Sequence, residues 1–315
     1  MGDDGVTTLP SVGWLGTGRM GLAMAARLVD AGIDVAVWNR TSEKAQSLVG
    51  RGARRVATIA HLGDREVVFI MVARPDDLEE VVCGEDGLLT SSSRPRVVVS
   101  CATVDPETSA RVRTRLREHD VDYLAAPISG NPHVVADAKS TFVVSGPRQT
   151  YEFVAPLLDT IARASVWVGE AEEAITVKIC HNLYLGMIAQ SVAEVTVLAE
   201  KSGVHRGQFL NFLNSTGLAT PWVQNRTADL LSLDWTPTFT TELLRKDFEL
   251  GMDRARRVEA PMPLAANVLQ LLHTAIGRGY RDADFLSLFA MQAESAGLDV
   301  RPREAATREI DDERE

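Results

Sequence analysis

The apolar positions of this chain fall into two regimes. Up to about residue 169, short apolar runs alternate with amphipathic stretches; beyond it the spacing is helical. The run Ser11-Val-Gly-Trp-Leu15 predicts a buried strand, and after a glycine turn Met20, Ala23, Met24 and Leu28 share one helical face. Asp34-Val-Ala-Val-Trp38 predicts the next strand. Val67-Val-Phe-Ile-Met-Val72 and Arg96-Val-Val-Val-Ser100 suit parallel strands buried on both faces. Asp105-Pro106-Glu107 opens a helix reaching about His119, with Pro106 at a tolerated early position. A short strand precedes Ala126, and a later one reads Thr141-Phe-Val-Val-Ser145. Strands alternating with helices at this spacing predict an α/β fold with a parallel, doubly wound sheet of Rossmann type.

Past Gly169 the pattern changes. Residues 172–202 contain no proline, and Ala174, Val177, Leu185, Ile188, Val192, Val195 and Leu198 support one long, mostly apolar helix ended by Gly203. Its length suits a link between two domains. Helices are expected at 206–214, 221–231, 240–257, 261–277 and 283–297, with breaks at Gly217, Pro221, Pro237, Pro261 and Gly277-Arg-Gly279. Residues 1–10 read as a loose arm, and the charge-dense stretch 301–315 as a disordered tail. The expected organisation is a Rossmann-type domain over 1–170, an all-helical domain over 171–300 that begins with the interdomain helix, and the tail.

Composition narrows the class. A chain of 315 residues with 45% hydrophobic content buries a substantial core, and its length suggests two domains. A net charge of −10 argues against a general nucleic-acid surface. Cys83, Cys101 and Cys180 lie far apart and show no metal spacing, which fits a reduced, cytoplasmic setting. The polar, acidic start is no signal peptide, no apolar run approaches a membrane span, and no internal repeat is present.

Chemistry begins at the glycine turn. Gly16, Gly18 and Gly21 fit G-x-G-x-x-G between a strand and a helix. Gly16 permits the tight turn, Gly18 lets backbone approach a pyrophosphate, and Gly21 lets helix pack on strand. The helix N-terminus offers free N–H groups and partial positive charge. At the end of the second strand, where an NAD site places Asp or Glu, stand Asn39-Arg40-Thr41-Ser42. Arg40 can pair with a 2′-phosphate while Thr41 and Ser42 donate, which points to NADP(H). The same residues also read as a solvated loop with a helix cap, and both can hold.

Three further segments draw notice. Ala126-Pro127-Ile128-Ser129-Gly130-Asn131-Pro132 lies at a sheet edge where ligands bind; the Ser129 hydroxyl and the N–H groups of Gly130 and Asn131 suit a carboxylate, and an ordinary proline-bounded turn reads equally well. In Lys178-Ile-Cys-His-Asn182, Lys178 and Asn182 share a helix face with apolar neighbours; a desolvated lysine can act as general acid or base, whereas a solvated helix lysine is the commoner case. His181 points elsewhere and reads as structural or cofactor-proximal. Arg245-Lys246-Asp247-Phe248 alone is a charged helix patch.

Together these pieces resemble the β-hydroxyacid dehydrogenase family, which includes 3-hydroxyisobutyrate dehydrogenases and tartronate semialdehyde (glyoxylate) reductases, over roughly residues 11–297. Gly13-Trp-Leu-Gly-Thr-Gly-Arg-Met-Gly21 is similar to the family's opening, and Trp38-Asn-Arg-Thr41 to its NADP-using branch. Ser100-Cys-Ala-Thr103-Val-Asp-Pro106 resembles the segment lining the nicotinamide, and Ala126-Pro-Ile-Ser-Gly130 the substrate-carboxylate loop. Lys178 and Asn182 match the catalytic lysine and its asparagine; Lys246-Asp247 matches a pair whose lysine reaches the active site; Glu259-Ala-Pro-Met-Pro-Leu264 is also family-like. The resemblance implies catalysis by Lys178 and Asn182, and substrate binding by Ser129, Gly130, Asn131 and Lys246. It implies cofactor binding by Gly16, Thr17, Gly18, Arg19, Met20, Gly21, Asn39, Arg40, Thr41, Val72, Ala73, Thr103, Lys246 and Asp247, with no metal.

Departures stand beside the likeness. Asn131 replaces a second glycine and adds a side chain where substrate should sit, His133-Val-Val-Ala-Asp-Ala-Lys139 replaces a glycine-rich continuation, and Leu183 stands where a second asparagine is usual. The expected activity is NADP(H)-dependent interconversion of a 3-hydroxy acid and its aldehyde or keto partner. The expected partners are a small carboxylate substrate and a homodimer or homotetramer, without nucleic acid or membrane. The alternatives are an imine or 6-phosphogluconate-type reductase, or a non-catalytic NADP-binding sensor; imine-reducing relatives lack the lysine that Lys178 matches.

Overall fold

The computed structural model describes residues 9–298. Most of the expected N-terminal arm and all of the expected 301–315 tail lie outside the described residues. The chain divides between His181 and Asn182 into two compact units.

The first unit is built on one sheet. Its elements in chain order are β1 (Val12–Leu15), α1 (Arg19–Asp30), β2 (Val35–Trp38), α2 (Gln46–Val49), β3 (Arg54–Arg55), β4 (Val67–Ile70) and α3 (Pro75–Cys83). There follow β5 (Val97–Ser100), α4 (Pro106–Arg117), β6 (Asp122–Ala125), β7 (Ile128–Ser129), α5 (Pro132–Ala136), β8 (Thr141–Ser145), α6 (Arg148–Ile161) and β9 (Ala164–Gly169). Strand order is β3-β2-β1-β4-β5-β6-β8-β7, with β9 also on β8. The pairs from β3 to β6 are all parallel, and β1, β4 and β5 are buried along their whole length, as their apolar runs predict. Trp14 stacks on Phe69 with centroids 5.3 Å apart, and Met24 and Leu28 of α1 close over them. Asp105 caps α4 by accepting from Thr108 N at 2.7 Å, with Pro106 in the first turn.

The parallel expectation needs one correction: β8 runs antiparallel to β6 and β7 before pairing parallel with β9. The elements that the apolar pattern leaves unmarked include β7, α5, α6 and β9. Two residues of strand and five of helix are too short to show a period, and α6 carries Pro156 in its interior.

The helix α7 (Glu173–Lys201) contributes its first residues to the first unit and the rest to the second. By length and composition it is apolar enough to cross a membrane, which corrects the expectation that no run approaches that length; half of its most apolar stretch is buried inside the fold. The second unit adds α8 (Arg206–Asn214), α9 (Pro221–Ser232), α10 (Thr241–Arg257), α11 (Pro263–Gly277) and α12 (Ser287–Ser295) around Val192, Leu210, Val223, Leu230, Leu286 and Phe289. The last helix starts four residues later than its apolar pattern suggests. Asp284, fully buried, accepts from Arg226 Nη2 and Thr238 N at 2.7 and 2.8 Å and from Leu286 N at 3.1 Å, which holds that segment outside the helix.

Candidate active site

At the C-terminal end of β1 the chain must turn sharply into α1. Gly16 takes φ +96°, and a Cβ there would stand 2.3 Å from the Met71 carbonyl oxygen. A Cβ at Gly21 would stand 2.0 Å from the Gly16 oxygen, which is already held by Trp14 Nε1 at 2.9 Å. Gly18 differs, because a Cβ there would meet nothing within 4 Å. It leaves bare backbone before α1, whose first turn carries no acid and whose cap residue supplies no side-chain bond.

The turn is tied to the neighbouring loop. Asn39 Oδ1 accepts from Thr17 N at 2.7 Å, and Asn39 Nδ2 donates to the Thr41 carbonyl at 2.8 Å. Thr17 Oγ1 is buried without a hydrogen-bond partner. Because β2 and β4 flank β1, Asn39, Arg40 and Thr41 lie on one side of the glycine turn and Val72 and Ala73 on the other. Half-buried Thr103 follows β5 at the same edge. A bare helix start, a solitary buried hydroxyl and a reversal of strand order fit the pyrophosphate and ribose of a dinucleotide. Arg40 is 86% exposed and stands 3.6 Å from Asp77 of α3. Thr41 precedes a 3-10 turn over Ser42–Ala45, yet its hydroxyl makes no cap bond, so the capping half of the sequence reading does not hold.

The carboxylate-loop residues fall on β7 and just after it. Gly130 takes φ +144°, and a Cβ there would press on Val134 Cγ1 and Ser140 Cβ at 3.1 and 3.2 Å. Asn131 Oδ1 caps α5 by accepting from Val134 N at 3.0 Å. Its side-chain oxygen is thus engaged at the helix start. Ser129 Oγ lies 3.0 Å from His181 Nε2. His181, set aside by sequence reasoning, is thus the serine's partner across 52 positions of chain, and no local signal marks such a pairing.

Lys178 is 8% exposed, beside the buried Ile175 and Ile179, and Asn182 one turn later is 3% exposed. Asn182 Nδ2 donates to Asp247 Oδ2 at 2.5 Å. Asp247 is 2% exposed, and Lys246 Nζ lies 3.2 Å from its other oxygen, an ion pair without hydrogen-bond alignment. Two glycines bring α7 and α10 close enough for the Asn182 contact. A Cβ at Gly186 would stand 2.5 Å from the Phe248 ring, and one at Gly251 would stand 2.7 Å from Leu183. Leu183 is therefore a packing residue. Arg245 pairs with Glu242 and Glu249 and is committed to surface ion pairs.

Burial pushes the Cys101 thiol far up, so it stays protonated and unreactive. Among the described residues no cluster of His, Cys, Asp or Glu could hold a metal.

Comparison with known proteins bears on the family and the fold. Residues 11–169 match the family described as the NAD binding domain of 6-phosphogluconate dehydrogenase, and residues 173–291 match that described as NAD-binding of NADP-dependent 3-hydroxyisobutyrate dehydrogenase. The chain is 29% identical over 276 residues to glyoxylate/succinic semialdehyde reductase 2, chloroplastic, of Arabidopsis thaliana, covering 87% of this chain and 77% of that protein. It is 30% identical over 277 residues to the uncharacterized oxidoreductase YfjR of Bacillus subtilis, covering 87% and 96%. A solved 3-hydroxyisobutyrate dehydrogenase from Salmonella typhimurium superposes with a TM-score of 0.81 at 24% identity, covering 89% of this chain and 99% of that one, a likeness of fold.

Proposed function

The chain belongs to the β-hydroxyacid dehydrogenase family and is a nicotinamide-dependent hydroxyacid dehydrogenase, and from that premise we propose that it uses NADP(H) to interconvert a 3-hydroxy acid and its aldehyde or keto partner, with Lys178 as acid and base. The observation that carries this reading is the burial of Lys178 one helical turn before an asparagine that a buried carboxylate holds in place.

When bound, the nicotinamide supplies hydride to the carbonyl carbon in reduction and accepts it in oxidation. Lys178 Nζ gives a proton to the carbonyl oxygen as negative charge builds there, and removes it in the reverse direction. Asn182, fixed through Nδ2 by Asp247, keeps Oδ1 as a stationary acceptor on the same helix face. Ser129 Oγ and the Gly130 N–H hold the substrate carboxylate, and His181 orients the serine hydroxyl. Thr103, which follows β5, would border the nicotinamide end. The absence of a carboxylate at residues 39–42, together with the exposed Arg40, favours a cofactor carrying a 2′-phosphate.

This reading includes a homodimer or homotetramer in the cytoplasm, acting without nucleic acid or membrane. The three free cysteines, Cys83, Cys101 and Cys180, support the reduced setting. The Arabidopsis relative's name makes glyoxylate and succinic semialdehyde the first carbonyl acids to try. The test is oxidation of NADPH, and separately of NADH, with a panel of small aldehyde acids. Turnover with an aldehyde acid and a preference for NADPH are expected. Turnover with cyclic imines alone, or with none of the carbonyl acids, would overturn the substrate class, and equal use of NADH the cofactor assignment.

A further inference from the structure

Arg40 is not free of anionic company. Its Nη1 stands 3.6 Å from Asp77 Oδ1, at side-chain exposures of 86% and 30%. The two residues come from different loops. Arg40 follows β2, and Asp77 lies in the first turn of α3, which follows β4. The strand order β2-β1-β4 places these loops on either side of the glycine turn after β1. The pair thus joins the loop after β2 to the first turn of α3, at the sheet edge where open α/β folds bind the adenosine end of a dinucleotide.

We propose that Asp77 is a specificity-determining residue that holds Arg40 in the free protein and limits how strongly a 2′-phosphate is preferred over a 2′-hydroxyl. The inference rests on the NADP(H) reading above and deepens it. An ion pair this exposed and beyond hydrogen-bond distance is weak, so Arg40 leaves it readily for a better partner. A phosphate group with nearly two negative charges is such a partner, because it accepts two parallel N–H bonds from a guanidinium. The phosphate would then share this loop edge with the Asp77 carboxylate, and like charges repel. Both effects act only on a cofactor that carries the 2′-phosphate. A ribose hydroxyl neither competes for Arg40 as a charge nor suffers the repulsion.

Adjacent Asp76 provides an internal control. It is exposed and shares the first turn of α3, so its removal changes the net charge and the helix start in the same way without touching the Arg40 pair. The experiment is calorimetric titration of the full chain with adenosine 2′,5′-bisphosphate and with 5′-AMP, fragments that need no catalysis. Asp77→Asn should tighten the bisphosphate about three- to tenfold at low salt and leave 5′-AMP within about twofold, with the gain shrinking as salt screens the charges. Asp76→Asn should change neither ligand by more than about twofold. Asp77→Ser, which keeps a residue suited to a helix start, should repeat the Asp77→Asn result. Combined with Arg40→Ala, Asp77→Asn should lose most of its effect. Unchanged bisphosphate affinity in both Asp77 variants, or equal gains from Asp76→Asn, would overturn the proposal while leaving the NADP(H) reading intact. Wild-type protein that binds both fragments equally, with no response to Arg40→Ala, would remove that reading and the proposal with it.

Discussion

Asn182 and Asp247 meet across α7 and α10 with Nδ2 and Oδ2 2.5 Å apart, and both side chains are almost wholly buried. A buried amide bonded to a carboxylate is fixed in rotation as well as position. Asp247→Ala should therefore loosen Asn182 and remove the carboxylate that its amide donates to. We expect a fall in kcat of roughly tenfold or more and a loss of stability of about 1–3 kcal/mol. Asp247→Asn retains an acceptor and should be milder in both. Steady-state kinetics and thermal melts on the two variants check this ordering.

His181 gives a different signature. In the proposed reading it acts on substrate through Ser129 Oγ, 3.0 Å away, and takes no part in the proton step. His181→Ala should raise KM for the carbonyl acid by roughly three- to tenfold, the worth of one oriented hydrogen bond, with kcat little changed. Ser129→Ala should raise it further. Initial rates at saturating NADPH separate KM from kcat, and a KM that stays put in both variants would remove the serine from the carboxylate site.

Asn131 offers a test of the loop. Its Oδ1 caps α5, so Asn131→Ala should lower stability by about 0.5–2 kcal/mol, while Asn131→Gly should cost only a few tenths. Because the cap also fixes the backbone that follows Ser129 and Gly130, Asn131→Ala should raise substrate KM more than Asn131→Gly does. Melting curves and substrate titrations report the two effects independently.

The proposed assembly is motivated by α7. Tyr184 and Leu198 are 59% and 66% exposed, a large apolar area for one helix to leave in water. A homodimer or larger assembly is expected, and Leu198→Glu should weaken it. Light scattering at micromolar concentration measures the mass; a monomer for the unmodified chain would contradict the expectation.

These particulars show where sequence reading reaches. The strands β1, β4 and β5 were legible because each is a continuous apolar run, and the glycine turn because Gly16 and Gly21 are demanded by contacts within a few residues or across one neighbouring strand. The helices of the second unit were legible from period and breakers, except where Asp284, through partners far along the chain, pulls its own segment out of a helix. The antiparallel β8 was not legible, because the direction of a strand is decided by its connection and not by its own residues. That Lys178 and Asn182 share one helix face could be read from their spacing, whereas a role for them came only with the family resemblance. The long-range pairings around the candidate site could not be read. Asp247 is 65 positions from Asn182, His181 is 52 from Ser129, and Asn39 is 22 from Thr17. Charge or polarity alone assigns none of those pairs.

The most direct test of the account is single-turnover NADPH oxidation by Lys178→Ala with an aldehyde acid that the unmodified chain reduces. In the proposed mechanism the lysine supplies the proton as the alkoxide forms, an effect typically worth about 10²–10⁴-fold. A loss of at least that order is expected with NADPH affinity nearly unchanged, and almost as deep a loss in Lys178→Arg, whose guanidinium is a poor proton donor. A Lys178→Ala protein that transfers hydride at the normal rate would contradict it.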